Sequence, residues 1–157
     1  MSSDLQAELK QSKPFSSLEE EVFLRIVRTA DRLQYDLGQL LKQENLTTTQ
    51  YNALRILRGA GERGLPCHEI GERMITKVPD VTRLLDRLEQ QGLVFRNREK
   101  EDRRVVRARI EPKGLDILAR LDQPIDEFHR QQLQHNGEDK LNQVNNLLRH
   151  LRRPRGA

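Results

Sequence analysis

A strongly basic hairpin set directly behind an amphipathic helix constrains this chain more than any other feature. Residues Gly92–Ile110 read GLVFRNREKEDRRVVRARI, with seven Arg or Lys against three acidic residues. The remaining residues balance, so these nineteen positions account for the whole formal net charge of +4. Leu93–Arg96 and Val105–Ile110 have strand composition, and the polar tip between them cannot enter a hydrophobic core. Such a hairpin is suited to rest against a polyanion, and DNA is the first candidate.

The helix ahead of it is expected from Val78 or Pro79 to Gln91, with Pro79 at a first helical position and Gly92 as the stop. Val81, Leu84, Leu85 and Leu88 form an inner face, while Thr82, Arg83, Asp86, Arg87 and Gln90 face outward. A B-form major groove admits one helix, whose N-terminal residues meet the base edges. Here those residues are Thr76, Lys77, Pro79, Asp80, Thr82 and Arg83. Lys and Arg donate to guanine O6 and N7, and Thr brings a hydroxyl and a methyl. Asp80 can accept from cytosine N4 or orient a neighbouring cation. Arg87, one turn beyond Arg83, is placed for a phosphate.

The hairpin tip runs Asn97, Arg98, Glu99, Lys100, Glu101, Asp102, Arg103, Arg104. A guanidinium entering an A·T-rich minor groove gains from the focused negative potential there. Asp102 repels DNA by charge, so its expected work is structural: pairing with a tip arginine or accepting tip N–H groups. Which of Arg103 and Arg104 inserts, and which is tied to that carboxylate, stays open on the residues alone.

The rest of the chain is helical. Residues 1–16 are polar and expected to be loose. With Ser16 or Ser17 as cap, Leu18, Val22, Ile26, Ala30, Leu33, Leu37 and Leu40 make one apolar stripe along a helix of about 25 residues. A second helix starts at Thr47 or Thr48 and stops at Gly59 and Gly61. A short one, Cys67–Met74, is anchored by Ile70. After the hairpin, Pro112 begins a helix that can bend at Pro124 and continue to Leu133. The last helix, Glu138–Arg149, presents Leu141, Val144, Leu147 and Leu148. Only 35% of the 157 residues are hydrophobic and 4% aromatic. A long helical chain with so little apolar bulk is expected to complete its core with a second copy of itself. The reading is mainly α with a small β wing, a winged helix-turn-helix at 46–112. Dimerisation helices flank it at 1–45 and 113–157.

Other chemistries find little support. The four histidines, His68, His129, His135 and His150, lack the close helical spacing of a metal site. The single Cys67 excludes an internal disulfide framework, although a helix N-terminus could lower its pKa. No nucleophile and base stand in a recognisable setting and no glycine loop cradles phosphate, so neither an enzyme nor a cofactor is expected. No run approaches about 20 apolar residues, and the first residues carry no basic-plus-apolar signal. A cytoplasmic protein without membrane contact is expected. A protein-interaction module built on the winged domain is the alternative, opposed by the basic wing, because a protein partner more often meets apolar anchors.

The segment VPDVTRLLDRLEQQGLVFRNREKEDRRVVRARIEPKG, residues 78–114, resembles the MarR family of bacterial transcriptional regulators. So do LTTTQYNALRILRG at 46–59 and the Asp102-Arg103-Arg104 triplet. The resemblance covers nearly all of the chain. It implies a triangular homodimer with interleaved terminal helices and a repressor acting on a pseudopalindromic operator. It also implies release by a small phenolic or lipophilic anion, bound between the dimer helices and the DNA-binding lobe. It carries Lys77, Pro79, Asp80, Thr82 and Arg83 to the major groove. Asp102 and Arg104 become a paired signature, leaving Arg103 or Arg98 to reach the minor groove. Three departures stand out. Aromatics are few, Phe15, Phe23, Tyr35, Tyr51, Phe95 and Phe128, so a stacking pocket for a planar phenolic effector is allowed but not demanded. Ile110-Glu111-Pro112 replaces the usual Leu-Thr before the helix after the wing. Cys67 lies in the helix-turn-helix, away from the position used by peroxide-sensing members, so that mechanism does not carry over.

Overall fold

The structure is a computed structural model and describes residues 4–152. Its first long element, α2 (Leu18–Leu41), is capped by Ser17, whose hydroxyl accepts the Glu20 N–H at 3.1 Å. Ser16 takes the reciprocal part, donating its backbone N–H and hydroxyl to the Glu20 carboxylate. Those two bonds hold the Glu20 carboxyl below its ordinary pKa. Helix α3 (Thr48–Ala60) opens on a capping box in which Thr47 and Gln50 satisfy each other's backbone N–H groups. Such a cap contributes about 1 kcal/mol.

Helices α4 (Cys67–Arg73) and α5 (Val81–Gln90) form the helix-turn-helix, followed by strands β2 (Val94–Arg98) and β3 (Val106–Ile110). Ahead of α4, the two-residue strand β1 (Leu65–Pro66) pairs antiparallel with β3, giving a sheet of order β1-β3-β2. This third strand was not expected from the sequence. Gly64 permits it: at φ +65° a Cβ here would lie 2.0 Å from the Ala108 carbonyl oxygen, so only glycine brings the chain close enough. Helices α6 (Pro112–Leu133) and α7 (Glu138–Leu151) complete the chain. Helix α6 runs through Pro124, whose missing N–H removes the helical donor of the Arg120 carbonyl.

Two expectations need correction. Residues 1–16 include a short helix, α1 (Asp4–Glu8), which buries Leu5 and is pinned by the Asp4–Arg25 ion pair at 2.9 Å. The Arg25 guanidinium holds the Asp4 carboxyl below its ordinary pKa. Pro79 does not open the recognition helix, because Asp80 caps α5 and accepts the Arg83 N–H at 3.0 Å. The proline stands one residue before the cap.

The core lies in the winged lobe. Leu54, Leu57, Ile70, Leu85 and Leu88 are fully enclosed, together with Leu41 before the lobe and Leu118 and Leu121 after it. Helix α6 is therefore packed to the lobe by its first half. Two ion pairs reinforce that seam, Arg58–Asp122 at 3.0 Å and Arg120–Glu44 at 2.9 Å. Arg120 holds the Glu44 carboxyl below its ordinary pKa. Helix α7, by contrast, buries no residue within the single chain.

Candidate nucleic-acid interface

The interface is built on α5 and the β2–β3 wing, both fixed by the same core. Leu84, Leu85 and Leu88 seat α5 on α3 and α4, and Leu93 and Val94 carry the chain from its end into the sheet. Gly92 makes the turn at φ +74°, donating its N–H to the Glu89 carbonyl at 2.9 Å. Burial of the inner face leaves Thr82, Arg83 and Arg87 exposed on the outer one, with Thr76, Lys77, Pro79 and Asp80 exposed on the approach to it.

Within the hairpin the seven cations divide into two groups. Arg96 binds Asp86 and Glu89 of α5. Arg98 donates to the Arg103 carbonyl at 2.8 Å. Arg107 donates to Glu99 at 2.8 Å and to the Gly64 carbonyl at 3.1 Å. Arg109 lies over the Phe95 ring, 4.9 Å from its centroid, and 3.7 Å from Glu111. Lys100, Arg103 and Arg104 have no side-chain ion pair among the described residues. The same is true of Lys77, Arg83 and Arg87 in and before α5.

At the tip, the Asp102 carboxylate accepts the backbone N–H of Arg104 at 3.0 Å, and its carbonyl accepts that of Val105 at 3.0 Å. The Glu99 N–H closes the loop onto the Val105 carbonyl at 2.9 Å. The pairing of Asp102 with Arg104 thus runs through the main chain and leaves the Arg104 guanidinium free. Arg98, one of the two residues expected to reach out, is spent on the turn. The geometry leaves Arg103 and Arg104 projecting. Asp80 is likewise committed to a helix cap.

Arg96 is the residue sequence reasoning missed. It entered only the total of the hairpin's charge and was given no orientation, and its side chain is only 16% exposed. Burial by itself draws the guanidinium pKa down, but Glu89 and Asp86 outweigh that and hold it above its ordinary value. Cys67 sits close enough to feel this cation, but burial dominates and pushes the thiol pKa up. The lowered thiol pKa that a helix N-terminus can provide is not found.

Between α2, α3 and the segment that precedes α5 lies a cavity of about 110 Å³, walled by Gln34 and Leu37 of α2, Tyr51 and Arg55 of α3, Ile75 and His129. Burial raises the Tyr51 phenol above its ordinary pKa, and Arg55 beside it partly offsets the rise. The Asn52 side-chain oxygen accepts the Ile75 N–H at 2.8 Å, so the segment leading into α5 is fastened to this wall. Among the described residues, no His, Cys, Asp and Glu cluster could hold a metal ion. No described helix is long and apolar enough to cross a membrane.

Comparisons with known proteins agree on the kind of molecule. The MarR family profile matches residues 46–106. A crystal structure of a MarR transcription factor from Planctomyces limnophilus is 38% identical, with TM-score 0.67, covering 87% of this chain and 98% of that one. The homoprotocatechuate degradative operon repressor of Escherichia coli is 29% identical over 109 residues, 69% of this chain and 72% of that protein. The transcriptional regulator MhqR of Bacillus subtilis is 26% identical over 98 residues, 62% of this chain and 66% of that protein.

Proposed function

The chain belongs to the MarR family of DNA-binding winged helix-turn-helix transcriptional regulators, which are not enzymes, and from that premise we propose that it is a homodimeric repressor of a pseudopalindromic operator. The observation that carries this reading is a set of six exposed cations on the recognition helix, its approach and the wing, none with an ion-pair partner among the described residues. Arg83 and Arg87 stand on the helix, Lys77 on the approach to it, and Lys100, Arg103 and Arg104 on the wing. Arg83, with Thr76, Lys77, Pro79, Asp80 and Thr82 around it, addresses base edges in the major groove. Arg87 meets phosphate, and Arg103 and Arg104 enter the flanking minor groove on a tip shaped by Asp102 and Arg98. Residues 46–112 form the DNA-binding part, and 1–45 with 113–157 join the two copies.

Two recognition helices related by a two-fold axis address half-sites about 34 Å apart. Footprinting genomic fragments with the purified protein tests this. Protection of an inverted repeat with that spacing is expected, with binding that weakens steeply as salt is raised. Absence of any protected repeat at low salt would refute the reading.

Release by a small phenolic or lipophilic anion belongs to the same proposal. The cavity supports it through Arg55 and His129, which suit an acidic group, and through Leu37 and Tyr51, which suit a ring. Ile75 and Thr76 share its wall with the approach to α5, so an occupant presses on the segment that sets the recognition helix. The Escherichia coli relative is named as the repressor of a homoprotocatechuate degradative operon, which supports the same reading. Repeating the footprint with small aromatic acids present should erase the protection if the cavity controls the helix.

A further inference from the structure

We propose that Arg96 is a positioning residue, a brace that fixes the angle between α5 and the wing, and that it makes no contact with DNA. The proposal rests on the DNA-binding reading above and deepens it.

Strand parity places the residue. Val94, Arg96 and Arg98 share one face of β2, Val94 is buried, and Arg96 stands opposite the fully enclosed Ala108 of β3. The side chain therefore starts inside the lobe and crosses to α5. Asp86 and Glu89 are three residues apart on that helix, hence on one face of it. One guanidinium nitrogen of Arg96 bonds both carboxylates, Glu89 at 3.2 Å. The second Glu89 oxygen accepts the backbone N–H of Arg96 at 2.9 Å. Glu89 thus holds the strand by its main chain and its side chain together.

The remaining donor sharpens the assignment. Arg96 Nε is shielded from solvent and has no partner. A cation withdrawn this far, already shared between two carboxylates, is not available to a phosphate. Its removal has two consequences, both unfavourable to DNA binding, so the charge and the brace are separated from the carboxylate side. Asp86 and Glu89 lose their counter-charge beside a polyanion, and the wing loses its polar tie to the helix. Val94 and Ala108 keep the strand on the core in either case, so the fold persists.

The decisive variant is D86N/E89Q in the full chain. Electrostatics alone predicts tighter binding to every DNA, because two negative charges leave the neighbourhood of the phosphates. A brace predicts that specific binding weakens by about ten-fold, while non-specific binding holds or tightens. Hydroxyl-radical protection of the minor groove under the wing should fade, and methylation protection under α5 should remain. R96M should lose the same wing protection. R96K, whose single ammonium can donate to both carboxylates as the one guanidinium nitrogen does, should keep part of that protection. D86N/E89Q binding the selected site as tightly as the parent at every salt concentration, with wing protection intact, would overturn the proposal. If the parent protects no site, the DNA reading fails and the brace is judged on the protein alone. Residual dipolar couplings of D86N/E89Q should then show β2 reoriented against α5, and an unchanged orientation would overturn it.

Discussion

In the winged lobe most large apolar side chains are inside the chain, whereas along most of α2 and all of α7 they are not. Leu54, Leu57, Ile70, Leu85 and Leu88 are fully enclosed. Val22, Phe23, Ile26, Val27 and Tyr35 of α2 stay exposed, as do Val144, Leu147, Leu148 and Leu151 of α7. The two sets share a cleft, where Leu18, Val22, Phe23 and Ile26 face Leu151. Single exposed hydrophobics are ordinary, but a continuous stripe on two helices from opposite ends of the chain marks an interface. The lobe can hold the geometry of α5 and the wing by itself. The spacing between two such lobes requires a second copy.

The largest effect should come from the exposed side. Leu147→Glu with Leu148→Glu places two charges on the α7 stripe and should convert a dimer at micromolar concentration to an 18.4 kDa monomer by light scattering. The thermal midpoint of the lobe should change little, and protection of the paired half-sites should vanish. The buried area lost is expected to exceed about 2,000 Å², in the range of obligate interfaces. A dimer that survives both charges would erase the distinction between the two regions.

Inside the lobe the opposite pattern is expected. Leu88→Ala leaves a cavity beneath the recognition helix and should lower stability by about 2–5 kcal/mol in denaturant titration. Dimer affinity should hold as long as the variant stays folded. A fall in dimerisation matching the fall in stability would mean that lobe and stalk unfold as one unit.

On the exposed face of α5, Arg83→Ala should cost about 1–3 kcal/mol on the selected operator and relax base preference. Arg87→Ala should weaken all DNAs alike. Equal losses on specific and non-specific DNA for both variants would move Arg83 from the base edges to the backbone.

Much of this arrangement was legible in the residues. Leucines at helical spacing followed by Gly92 placed the end of α5 to within a residue and its start two or three residues early, and a threonine cap at 47 or 48 placed α3. What escaped was set by tertiary contact. Strand β1 has two residues and exists because Gly64 lets it approach β3. Helix α1 has five and is held by Leu5 burial and the Asp4–Arg25 pair. The hairpin's charge was read as a total, and the total misled. Arg96, Arg98, Arg107 and Arg109 are absorbed by carboxylates, carbonyls and a ring, and only three cations project. For Arg96 the signal was present: it shares parity with the apolar Val94, so it had to face the core side. Arg98 has the same parity, but lies beyond the lobe's edge, where that face is open to solvent.

The smallest expected effect tests how far an exposed tip can be rigid without a core. Asp102 holds the turn through the Arg104 N–H, and Arg98 holds it through the Arg103 carbonyl. Asp102→Ala removes a negative charge next to DNA, which by charge alone should strengthen binding. Loss of the turn should instead weaken it, by about 1 kcal/mol, the net worth of one hydrogen bond. Asp102→Asn keeps the acceptor and drops the charge, so it should bind at least as well as the parent. Measured by anisotropy over a salt series, the three proteins then rank Asn at or above Asp, and Asp above Ala. If Ala ranks with Asn at every salt concentration, the wing tip needs no such support, and the rigidity of the site ends where the sheet does.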